Sequence, residues 1–227
     1  MKKRGLSQEW LKLIACISML IDHVGAAFFP DVVFLRILGR VAFPIYCFLL
    51  VEGICHTGNP RRYAGRLALG AIVSELPFDL LFWGVPTLAH QSVMLTLLLG
   101  FCMAQWMRHS RLRILPLLLC GLAAEFLQTD YGITGILIIY LFLVTRDVPH
   151  RLLLQGILLG LICWTSNSAV LTIRTLRIPI EFFAVAAMVP IAAYSGEKRS
   201  RSPHLQRAFY LFYPVHMCVL LLIRFFS

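Results

Sequence analysis

Lys12, Asp22 and His23 stand in a largely apolar stretch, 11–29. Read as a helix, eleven positions at about 100° each leave a residual of about 20°. Lys12 and His23 therefore share one stripe, about 16 Å apart along the axis. An imidazole, with its ordinary pKa near 6.5, is the side chain best suited to take up a proton at neutral pH. Ionisable groups deep in a bilayer cost about 2.5 kcal/mol or more each, so they face protein and have a partner or a task. Asp22 lies about 100° round the helix from His23, which leaves Glu75 or Asp79 as the carboxylate that could orient the ring. A membrane histidine can equally be a hydrogen-bonding link between helices. Spacing alone leaves both readings open.

The remaining buried charges fall into two groups by depth. The outer half collects Asp22 and His23, Arg36 and Arg40, Glu75 and Asp79, Glu125 and Glu181. Arg36/Arg40 and Glu75/Asp79 are each i,i+4 pairs, so each pair presents one helix face. The structural expectation is that these two arginines neutralise these two carboxylates. Anchoring of a substrate is compatible with it. His216, beside the helix-kinking Pro214, is a second intramembrane histidine: either a satisfied core residue or a wall of the same cavity as His23. The inner group is Lys12, Glu52, His56, Arg61, Arg62, Tyr63 and Arg66. Basic loops belong on the cytoplasmic side of a membrane protein. The same cations suit the phosphates of a cytosolic donor.

The elements that must hold these residues are transmembrane helices. The chain has 227 residues, 59% of them hydrophobic and only 14% charged. Soluble domains carry about 25% charged residues, so the composition is that of a polytopic membrane protein. The net charge of +10 sits in short clusters between apolar runs, which argues against nucleic acid. Nine runs can be marked, at 10–29, 33–55, 63–83, 91–107, 113–128, 132–145, 152–165, 178–195 and 207–225. The expected fold is an all-α bundle of about nine spans (eight to ten), forming a single domain over 1–227. The fifth, sixth and seventh runs fall short of the ~20 residues of a perpendicular span.

With the N-terminus in the cytoplasm, sixteen of the 21 Lys and Arg residues fall on inner ends and loops. They are Lys2, Lys3, Arg4, Lys12, Arg61, Arg62, Arg66, Arg108, Arg111, Arg113, Arg146, Arg151, Lys198, Arg199, Arg201 and Arg207. This bias predicts N-in, C-out. Arg174 and Arg177, in the outer loop before the eighth run, are the exception. The seven cysteines all lie in apolar runs with no CxxC, so neither a disulfide framework nor a metal site is expected. The basic start MKKRGLSQEW lacks a cleavage pattern and reads as part of a retained first helix. No P-loop, GxGxxG, GxSxG or HExxH occurs, so ATPase, dinucleotide and common hydrolase readings have no support.

Six segments in order resemble the TraX family, the membrane family that includes the F-pilin acetylation protein. They are LKLIACISMLIDHVGAAF (11–28), LRILGRVAFPIYCFLLVEG (35–53), His56-Thr57 with Arg61-Arg62-Tyr63 and Arg66, SELPFD (74–79), DYGITG (130–135) and FYPVHM (212–217). The resemblance implies an acetyltransferase that uses acetyl-CoA in the cell membrane. The Lys-x10-His spacing and the Phe43-Pro44 pair are also similar to the wider set of integral-membrane acyltransferases, in which the first-helix histidine is regarded as catalytic. That would make His23 the general base or acetyl carrier, with Asp22 and Glu75 beside it. Lys12, Arg61, Arg62 and Arg66 would meet the phosphates of acetyl-CoA. Arg36, Arg40, Asp79 and His216 would position an acceptor arriving from the outer side: a protein amine, a glycan hydroxyl or a lipid. The competing expectations are a small membrane transporter, or a conjugation or secretion component without catalysis. No internal repeat of the kind common in transporters is visible.

Overall fold

The computed structural model describes residues 5–166, 169–173, 176–197 and 202–226. Lys2, Lys3, Arg4, Arg174, Lys198, Arg199 and Arg201, which entered the orientation count, lie outside them. Every one of the nine apolar runs carries helix. The elements are α1 (Gln8–Phe28), α2 (Val33–Gly39), α3 (Ala42–His56), α4 (Pro60–Phe82), α5 (Val93–His109), α6 (Ile114–Phe126), α7 (Gly132–Val144) and α8 (Arg151–Trp164). A 3-10 helix at Ile180–Ala187 runs directly into α9 (Met188–Ala192), and α10 (Pro203–Phe226) closes the described chain. Among the described residues three helices are long and apolar enough to cross a membrane: Gln8–Phe28, Val33–His56 and His204–Phe226.

The all-α expectation needs one correction. Strands β1 (Val170–Ile173) and β2 (Leu176–Pro179) form an antiparallel hairpin that pairs Val170 with Pro179 and Thr172 with Arg177. Both strands are rich in the β-branched and aliphatic residues that suit a pleated ribbon. Pro179 ends the second strand, where its missing N–H does no harm. The eighth apolar run therefore begins as strand and 3-10 helix, and only its end is α-helical.

Chain contacts divide the molecule into two units, Met1–Leu49 with Thr145–Tyr210, and Leu50–Val144 with Leu211–Ser227. In the first, α1 buries Leu11, Ala15, Ser18, Met19 and Asp22, a stripe at intervals of three and four. Its opposite face leaves Leu13 and Ile17 exposed, as a lipid-facing surface does. The chain just before α1 is strapped to residues after α9. Leu6 N–H donates to Ala193 O (2.7 Å), Ser195 N–H to Leu6 O (2.9 Å) and Gln8 N–H to Glu197 O (3.0 Å). In the second unit, α4 packs on α5, and α5 on both α6 and α7. Tyr63 and Phe101 meet edge to face with centroids 5.0 Å apart.

Candidate functional site

His23 is buried in α1 at 8% exposure, one residue beyond the equally buried Asp22. The geometry around them begins with a break in the second span. α2 stops at Gly39 and α3 restarts at Ala42, so Arg40 stands in the gap between the two helices. Pro44, in the first turn of α3, has no N–H to offer the carbonyl of Arg40, which favours a break at this point. The carbonyls freed at the end of α2 are met by α1. Ser18 Oγ donates to Leu38 O (2.7 Å) and, at 3.1 Å, lies within reach of Gly39 O. Gly39 has no Cβ, and one built there would collide with the Asp22 carboxylate. The two helices can touch here only because that position is glycine.

The break turns Arg40 into the bundle, where it is 7% exposed and ion-paired to Asp22 Oδ2. Arg36 Nη1 reaches the same oxygen at 2.8 Å and donates to the Asp22 backbone carbonyl at 3.2 Å. On its other side Arg40 Nη1 donates to Glu181 Oε1 at 2.5 Å. Glu181 lies in the first turn of the 3-10 helix. Two guanidiniums and two carboxylates thus form a neutral chain, Arg36–Asp22–Arg40–Glu181, held by α1, the α2–α3 break and the 3-10 helix. A single member left alone at this depth would cost several kcal/mol, so the four are interdependent. Arg36 and Arg40 were expected to neutralise Glu75 and Asp79; their partners are Asp22 and Glu181 instead.

About three turns toward the start of α1, Lys12 Nζ lies over the Phe209 ring, 5.3 Å from its centroid. Between Lys12 and His23 the stripe continues through Cys16, whose Sγ is 3.2 Å from the Tyr46 hydroxyl.

The other expected site residues lie in the second unit. Glu75 accepts the Ser92 N–H on both carboxylate oxygens (3.3 and 3.1 Å), at the start of α5. Asp79 Oδ2 accepts Thr87 N–H at 2.8 Å. His216 Nδ1 is 2.7 Å from Phe212 O, and its ring stacks on Phe212 with centroids 4.9 Å apart. Arg61 and Arg62 are exposed in the first turn of α4, where Asn59 Oδ1 caps Arg62 N–H (2.9 Å). Arg66 lies over the Tyr63 ring at 5.2 Å. Arg108, from the end of α5, donates to Ile54 O at 3.1 Å. Glu125 Oε2 accepts Ile133 N–H (3.2 Å) in the first turn of α7. No group of three or more His, Cys, Asp or Glu among the described residues is arranged to hold a metal ion.

The model of the TraX protein family matches residues 7–224, nearly the whole chain. The chain belongs to the TraX family. The "Probable fimbrial assembly protein FimC, serogroup H1" of Dichelobacter nodosus is 32% identical over 239 residues, covering 92% of each chain. "Uncharacterized protein RP591" of Rickettsia prowazekii (strain Madrid E) is 29% identical over 103 residues, 45% of this chain and 38% of its own. No solved structure matches.

In this TraX-family chain Glu181 is a site residue that spacing arguments left without a role. It sits 141 positions from Arg40, too far for any periodicity to connect them. The available signal was the parity of charge: a buried arginine on one helix requires a carboxylate on another.

Proposed function

We propose that this chain is a single-domain, multi-pass acetyltransferase of the cell membrane. It would move an acetyl group from cytosolic acetyl-CoA to an amine or hydroxyl at the outer side. The observation that carries the reading is the buried His23, next to a carboxylate that two arginines fix, in a chain of the TraX family. An imidazole with a neighbouring network of fixed charges can act as general base on the acceptor, or carry the acetyl group briefly itself. In the first route the acceptor N–H or O–H loses its proton to the imidazole as its N or O bonds the acetyl carbon. The CoA thiolate leaves and takes the proton back from the imidazolium, which restores the neutral base. The network's fixed dipoles can stabilise the oxyanion without reorganising. Lys12, Arg61, Arg62 and Arg66 are the cations that suit the donor's phosphates. We further infer N-in orientation and about nine spans from the distribution of Lys and Arg. The Dichelobacter relative's name suggests a fimbrial or pilus protein as the acceptor.

The test uses the full chain in lipid vesicles with acetyl-CoA carrying a labelled acetyl group. Thioester cleavage or label transfer is expected with wild type, and His23→Ala should lower it about 10²–10⁴-fold while the protein still folds. A folded His23→Ala protein with full turnover would refute the role. Replacing Arg61, Arg62 and Arg66 together by Gln should weaken acetyl-CoA binding at least tenfold. A second reading, an assembly component without catalysis, is favoured by the balance of charge in the Asp22 network, where each charged group has an ion partner. It predicts no thioester cleavage in any variant.

A further inference from the structure

We propose that Glu181 is a positioning residue for His23, acting through Arg40 and Asp22; this rests on the acetyltransferase reading. Three observations converge on it. The carboxylate is the terminal member of a neutral four-charge chain, 2.5 Å from Arg40, and its side chain is 14% exposed. Arg40 has its other contact on Asp22 Oδ2, and Asp22 is the residue before His23 in α1. The segment that carries Glu181 is tied to the start of α1 as well, through the backbone bonds of Leu6 and Gln8 with Ala193, Ser195 and Glu197. The chain from 181 to 197 is therefore fastened to the start of α1 by the backbone hydrogen bonds of 193–197, and through Arg40 to Asp22 by the charge of Glu181.

Charge parity decides what each member does. With Glu181 removed, one buried carboxylate faces two guanidiniums. Arg40 loses the contact that holds it from the far side, and Asp22 is drawn to a surplus of positive charge. The turn bearing Asp22 and His23 is then no longer set by opposed pulls. Oδ2 of Asp22 takes both arginines while Oδ1 is buried without a hydrogen-bond partner, so the arginines are the side chains that set the orientation of this carboxylate by charge. Removing Arg40 and Glu181 together leaves the neutral Arg36–Asp22 pair. The double variant should accordingly be milder than the single one.

The experiment measures acetyl-CoA thioester cleavage and a histidine NMR spectrum for the full chain in lipid. The His23 imidazole nitrogen signal is assigned by its loss in H23A. E181Q is expected to lower kcat at least tenfold with KM for acetyl-CoA within twofold, and to move the His23 signal. E181D, which keeps the charge, should retain more turnover than E181Q and serves if E181Q does not fold. R40Q/E181Q should regain at least threefold over E181Q. Turnover within twofold of wild type in E181Q, with the His23 signal unmoved, overturns the positioning role. So does a double variant no better than the single, or, if E181Q does not fold, an E181D protein indistinguishable from wild type in both readouts. If wild type cleaves no acetyl-CoA yet E181Q or E181D moves the His23 signal, positioning stands and the enzyme reading falls.

Discussion

Gly39 has no side chain, and the Asp22 carboxylate fills the space where one would be. Gly39→Ala should therefore push Asp22 away from Arg36 and Arg40, costing about 1–3 kcal/mol as overpacking does. Thermal unfolding in detergent reads that loss, and acetyl transfer should fall with it. A second position fixed at the same scale is Gly132, whose φ of +47° is left-handed. A Cβ there would also come within 2.7 Å of Glu125 Oε2. Gly132→Ala should cost about 1–2 kcal/mol from the backbone conformation alone. It should leave turnover unchanged, because Glu125 and Gly132 serve the start of α7 and not the His23 network.

At the scale of elements, the acidic residues of the outer half divide by what they hold. Asp22 and Glu181 take guanidiniums, whereas Glu75, Asp79 and Glu125 take backbone amides at helix starts and in one loop. An anionic oxygen at a helix start satisfies an orphan N–H and complements the macrodipole. Glu125→Ala should thus lower stability by about 1 kcal/mol, the usual worth of a cap, with transfer retained. Thermal melting beside an activity assay separates the two effects. The burial of the Lys12–His23 stripe was readable in the sequence, because a period of 3.6 turns spacing directly into a face. The break in the second span was not read there, because 33–55 forms one apolar run; Pro44, close behind Arg40, was its available signal. The partners of Arg36 and Arg40 were not readable. Two matched i,i+4 pairs look complementary on paper, but pairing is a tertiary matter, and the break in the helix points Arg40 at α1 and the 3-10 helix. The hairpin at 170–179 was also missed: β1 lies between two apolar runs while β2 merges into the eighth, and strand and helix are hard to tell apart over four residues.

At the scale of the whole molecule, apolar composition and short basic clusters identify a membrane protein before any coordinates are drawn. Helices of 13 or 14 residues, such as α6, α7 and α8, rise only about 20 Å, well below a ~30 Å hydrocarbon core. Local thinning of the bilayer or snorkelling of flanking residues must accommodate them if they cross. With nine crossings and the N-terminus inside, an epitope at the N-terminus of the chain in intact cells should resist external protease, while one at the C-terminus is digested. Digestion of the N-terminal epitope, or protection of the C-terminal one, would require a different span count or orientation.

The strap between Leu6 and residues 193–197 has a consequence for how the protein is made. The helix that carries the imidazole leaves the ribosome well before the 3-10 helix and α9, and its clasp and the network's last carboxylate are encoded more than 150 residues later. At about 5–20 residues per second, α1 waits roughly 8–30 s in the lipid while Arg40 lacks Glu181 and Leu6 and Gln8 lack their backbone partners. Assembly of this half of the molecule is then a closing of the chain on its own beginning. Nascent chains halted before residue 180 should be the ones that quality-control proteases recognise and remove.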